Sequence, residues 1–90
     1  MDGRCTFTDM TEIRHAFGLA VRIFRERRAW NQAELARASG IDRGYISRIE
    51  TGSADPGLRV QHRLAEALQV SLTELIAQAE EELERSQRRR

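Results

Sequence analysis

Apolar residues recur along this chain at steps of three and four, the spacing that lines one face of an α-helix. Ile13, Phe17, Ala20, Val21 and Phe24 form the first stripe and predict a helix from about Met10 to Arg28, with Asp9 and Glu12 as an N-terminal cap pair. A second helix is expected from Gln32 to Ser39. Asn31 is placed to cap it, Glu34 to reach back, and Trp30 and Leu35 to close a hydrophobic staple over the cap. Gly40, which tolerates positive φ, ends it. A third runs from about Arg43 to Thr51 between the cap Asp42 and the stop Gly52, with Ile46 and Ile49 on its buried side and Ile41 joining them from the turn. A fourth spans Leu58 to Leu68, opened by Pro56 and striped by Leu64, Ala65 and Leu68. Gln61 falls where another apolar residue is expected, and the pattern alone does not account for it. The fifth starts after Ser71, with Glu74 completing a capping box and Val70 and Leu75 forming a second staple. Its stripe is Leu72, Leu75, Ile76, Ala79 and Leu83. No segment alternates strictly enough to be a strand, and no solenoid period repeats. The expectation is an all-α, compact five-helix domain over residues 9–84, between a loose arm 1–8 and a basic tail 85–90.

The second and third helices, joined by a short turn containing glycine, make a helix-turn-helix pattern. Ala36 is small enough to let the next helix cross close by. Gly40 permits the sharp turn, and Leu35, Ile41, Ile46 and Ile49 fix the crossing angle. Arg43, Gly44, Ser47 and Arg48 are then directed away from the core. One exposed helix of this size fits the major groove of DNA.

These residues resemble the Cro/repressor type of helix-turn-helix, the xenobiotic-response-element family of bacterial and phage regulators with a lambda-repressor-like fold. The matching residues are Asn31-Gln32-Ala33-Glu34-Leu35-Ala36, Ser39-Gly40-Ile41 and Tyr45-Ile46-Ser47-Arg48-Ile49-Glu50-Thr51-Gly52, continued by Asp55-Pro56 and Leu64-Ala65-Glu66-Ala67-Leu68. The resemblance covers about residues 17–76. It implies that Gln32 contacts a phosphate, that Arg43, Gly44 and Arg48 sit at base-reading positions, and that Ser47 and Thr51 lie near the DNA backbone. It also implies an internal ion pair between Arg25 and Glu50, which would remove Arg25 from the DNA-facing charge. Tyr45 has two readings, a contact to the sugar-phosphate or a cover for the small core. The departure is Gly44, where the family often carries a polar reader. Specificity would then rest on Arg43 and Arg48, with guanines in the half-site.

Charge complicates this picture. The 90 residues hold 15 basic and 14 acidic side chains, a net charge of +1, whereas a nucleic-acid-binding domain is usually strongly basic. Arg22, Arg25, Arg27 and Arg28 cluster around one acid, Glu26, yet Asp42 and Asp55 flank the presumed DNA face. Every basic residue is arginine, a planar fork suited to phosphate and guanine, though GC-rich codon usage explains the bias equally well. Helix N-termini would supply further phosphate contacts through their N–H groups.

A domain this size buries only about 60–65% of its unfolded surface, which favours association. The expected partners are double-stranded DNA and a second copy of the chain. The homodimer surface would be Leu72, Leu75, Ile76, Ala79 and Leu83; alternatively that stripe folds back on Met10, Ile13 and Phe17. No cofactor, metal or catalytic role is expected. Cys5 is a lone thiol, and His15 and His62 have no partners at ligand spacing. The apolar runs are too short to cross a bilayer and Met1-Asp2-Gly3-Arg4 has no signal-peptide core, so a cytoplasmic location is expected. The leading reading is a dimeric transcription regulator on a roughly palindromic operator, either a restriction–modification controller or an antitoxin or phage-type repressor. A protein-interaction adaptor that kept the fold but lost DNA affinity is the rival.

Overall fold

Three of the helices begin where a side chain just ahead of them accepts a free backbone N–H. The structure, a computed structural model, describes residues 10–89, with only the backbone of Met10. Those residues hold five helices and no strand: α1 (Met10–Arg27), α2 (Gln32–Ser39), α3 (Arg43–Glu50), α4 (Leu58–Leu68) and α5 (Leu72–Arg88). The expected arm 1–8, Cys5, the cap residue Asp9 and the last arginine lie outside the described residues.

Asn31 Oδ1 accepts the Glu34 N–H at 2.8 Å while Glu34 Oε1 accepts the Asn31 N–H at 2.7 Å, a reciprocal capping box on α2. Ser71 and Glu74 repeat it on α5, with both bonds at 2.9 Å. Asp42 Oδ2 caps α3 by accepting the Tyr45 N–H at 3.2 Å. Gly40 closes α2 in the left-handed region at φ 72°. The unexplained Gln61 has a local role: its amide donates to the Pro56 carbonyl at 3.0 Å and ties the start of α4 to the preceding loop.

The core gathers Val21, Leu35, Ile46, Ile49, Leu64 and Leu75, all fully buried. The most extensive packing is α5 along α1. This corrects the expected dimer stripe. Leu75 is 0% and Ala79 2% exposed, because α5 packs along the long α1 of the same chain and both side chains enter its core. Leu72, Ile76 and Leu83 remain half-buried at the flank. The tail also differs from expectation, since α5 continues through Glu84 to Arg88. Glutamates placed ahead of arginines at helical spacing hold the extension: Glu82–Arg85 at 2.8 Å, Glu84–Arg88 at 3.7 Å and Glu81–Arg85 at 4.0 Å.

Gly18 sits in the middle of α1, where glycine is a poor helix former. A Cβ there would collide with the Ile49 carbonyl oxygen and come within 2.9 Å of the Glu50 carbonyl. The missing side chain therefore lets α1 lie directly against the end of α3. Ala29, just past α1, holds φ 58° with a side chain that disfavours it. Two changes of opposite sign are expected in urea unfolding. Gly18→Ala lowers stability by about 1–3 kcal/mol through overpacking against backbone. Ala29→Gly raises it by about 0.5–1 kcal/mol by removing left-handed strain.

Candidate nucleic-acid interface

Helix α3 is apolar on one side only. Ile46 and Ile49 are fully buried, Arg43, Gly44, Arg48 and Thr51 are exposed, and Tyr45 and Ser47 are half-buried between the two sides. Arg43, Gly44 and Arg48 therefore share the outward face of a helix whose other face is anchored in the core. Tyr45 packs against that core, and the Arg48 guanidinium lies 5.7 Å from its ring centroid. The Thr51 hydroxyl is engaged at the end of α3, donating toward the Ser47 and Arg48 carbonyls at 3.1 and 3.2 Å. In this arrangement its single proton is committed to the helix end rather than held free for a phosphate.

Glu50, at the end of α3, joins three helices. Arg25 of α1 donates to both carboxylate oxygens, Nε to Oε2 at 2.7 Å and a terminal nitrogen to Oε1 at 3.0 Å. Gln32 of α2 donates its side-chain amide to Glu50 Oε1 at 3.0 Å. The remaining Arg25 nitrogen donates to the Trp30 carbonyl at 2.7 Å. The pair is nearly sealed, with side chains 11% and 3% exposed. Arg25 is held more basic than free arginine, first by its hydrogen bond to Glu50 and then by the coulombic pull of Glu50 and Glu26, against the cost of burial. Gln32 was read from the sequence as a phosphate contact. The geometry gives it a structural bond to Glu50, and its amide carries a second N–H that Glu50 does not use.

The arginines at the end of α1 and just past it are each engaged with a neighbouring group. Arg22 pairs with Glu26 at 3.0 Å, Arg25 with Glu50, and Arg27 lies 5.1 Å from the Phe24 ring. Arg28 stacks 4.5 Å from the Trp30 ring and donates to Gln69 Oε1 at 3.3 Å beyond the end of α4. Arg43 and Arg48, by contrast, are in no ion pair among the described residues. The two donor-rich forks on α3 remain open to a ligand. Among the described residues no group of His, Cys, Asp or Glu could hold a metal ion, and no helix is long and apolar enough to cross a membrane.

A short helix bracing a second, outward-facing one defines a helix-turn-helix protein. The chain belongs to the helix-turn-helix family of Cro/repressor type, whose pattern matches residues 21–75. A hypothetical transcription factor of Neisseria meningitidis is 33% identical over 75 residues, 83% of this chain and 71% of the relative. Among solved structures, the restriction-modification controller protein C.AhdI of Aeromonas hydrophila is 34% identical, with a TM-score of 0.67 over 69% of this chain and 94% of its own. The clp gene regulator ClgR of C. glutamicum is 31% identical, with a TM-score of 0.71 over 74% and 87%.

Breaking the Glu50 hub is costly because it leaves a buried charge without compensation. Glu50→Gln is expected to lower unfolding stability by about 3–5 kcal/mol. Arg22→Ala, which breaks the exposed pair with Glu26, should cost less than about 1 kcal/mol. Denaturant midpoints of the two variants compared with native protein check both values.

Proposed function

We propose that the protein is a sequence-specific, double-stranded-DNA-binding transcription regulator that acts as a homodimer on a roughly palindromic operator. One observation carries this reading. Two arginines without carboxylate partners share the outward face of a helix that is fixed from behind by a buried ion pair and a glycine contact. Arg43 and Arg48 would read guanine edges through paired N–H donors. Gln32, Ser47 and Thr51 would lie against the sugar-phosphate, and the first-turn amides of α2 would add phosphate contacts. Two such helices related by a dyad enter successive major grooves about 34 Å apart.

The dimer surface consistent with burial is the flank of α5. Leu72 and Ile76 are half-buried there, beside a shallow apolar groove bounded by Ile13, Phe17 and Pro56. A second copy covering that groove would extend the core rather than disturb it. The protein's role is binding without catalysis, and a cytoplasmic location goes with it. Within the regulator class, a restriction–modification controller is favoured by the likeness to C.AhdI, which spans 94% of that protein.

Fluorescence anisotropy against random and selected duplexes, at about 50 and 200 mM salt, tests the reading. Native protein should select a palindromic site and weaken steeply with salt as counterions return to the phosphates. Arg43→Ala and Arg48→Ala should each lose about 1–3 kcal/mol of discrimination at one base pair. Failure to bind any duplex tighter than about 10⁻⁴ M, the weak end of non-specific affinity, would leave the adaptor reading in its place. Ile76→Asp should convert the dimer to monomer in sedimentation. An unchanged mass with an intact fold removes this flank as the interface.

A further inference from the structure

Side chains on a helix lean toward its N-terminus, so a residue covers the surface above the positions three and four before it. On α3 this places Arg48 above Tyr45 and Gly44. Gly44 has no side chain to occupy that surface, and the nearest atom to a Cβ there would be Asp42 Oδ2 at 3.0 Å. Tyr45 is anchored, half-buried and packed against the core. Its ring lies 5.7 Å from the Arg48 guanidinium carbon, within the roughly 6 Å range of a cation–π contact. A guanidinium resting on a ring uses its flat face and leaves its edge N–H donors free. No carboxylate among the described residues pairs with Arg48 to divert them.

We propose that Tyr45 is a positioning residue that holds the Arg48 guanidinium ready for guanine, setting specificity without itself reading a base. This rests on the DNA-binding reading above and adds to it. A long arginine loses rotamer freedom when it pairs with a base, and a ring that already restrains it reduces that loss. It also narrows the set of acceptors the fork can reach.

The test is a double-mutant cycle on the selected operator, with each guanine replaced in turn by 7-deazaguanine, which lacks the N7 acceptor. Native protein should lose affinity at one guanine, and Arg48→Ala should be insensitive there. Tyr45→Phe should keep the discrimination, whereas Tyr45→Leu should lose about three- to tenfold of it with an unchanged salt slope. In the Arg48→Ala background Tyr45→Leu should cost nothing further in guanine discrimination. Pentafluorophenylalanine at position 45, which keeps the ring shape but reverses its face charge, guards against a leucine variant that fails to fold. It should lose discrimination relative to Tyr45→Phe. An equal loss from Tyr45→Leu with and without Arg48 overturns the proposal, as does pentafluorophenylalanine behaving like phenylalanine. If native protein selects no site, the DNA-binding reading falls and this one with it. If Arg48 reads a guanine but Tyr45→Leu matches native, only this proposal falls.

Discussion

At the end of α3 the Glu50 carboxylate receives Nε–H and one terminal N–H of Arg25 from α1 and the amide of Gln32 from α2. On the same stretch of backbone, the bare Cα of Gly18 lets α1 touch the Ile49 and Glu50 carbonyls. These two features set where α3 stands. Apolar contacts through Ile46 and Ile49 supply attraction but little direction, since burial is roughly proportional to area whatever the angle. A bidentate ion pair is directional and holds both partners in one plane. A buried pair is weak evidence for net stability, because desolvating both charges offsets most of their attraction. Here its consequence is geometric. It fixes the tilt and rotation of the helix that carries Arg43 and Arg48.

The same economy resolves the modest charge. With a net charge of +1 the chain lacks the broad positive field expected of a DNA-binding domain. Its arginines are divided by use. Arg25 and Arg28 join helices, Arg22, Arg85 and Arg88 pair with glutamates along their own helices, and Arg27 lies over Phe24. What remains on α3 is small in number but presented from a rigid support. On the proposed reading, such an interface would depend more on aimed hydrogen bonds than on total charge.

Features set by near neighbours were legible in the sequence. Both capping boxes, the Gly40 turn and the buried isoleucines follow from spacings of three or four residues, and the structure has them. The Arg25–Glu50 pair, 25 residues apart, was reachable only through family resemblance, because no local rule brings those positions together. Gly18 left a weak signal, a glycine inside a strongly periodic helix, but its cause lies in a helix distant along the chain. Periodicity located the α5 stripe without saying what would cover it. Leu75 and Ala79 turned out to face α1 of the same chain. The extension of α5 to Arg88 is encoded in glutamates three and four residues ahead of arginines, beyond the point where the apolar stripe ends. The arginine cluster near the end of α1 was visible as density, but a charge run does not show its partners.

Native-state hydrogen exchange across α3 tests most directly whether this helix is locked to the scaffold. If the Glu50 hub and the Gly18 contact hold α3 as described, the amides of Ile49 and Glu50 exchange only through global opening, with the same free energy as the core of α1. Exchange of those α3 amides at a markedly lower free energy, while α1 and α5 stay protected, would show that α3 opens independently, and would contradict the claim that the recognition face is set in advance.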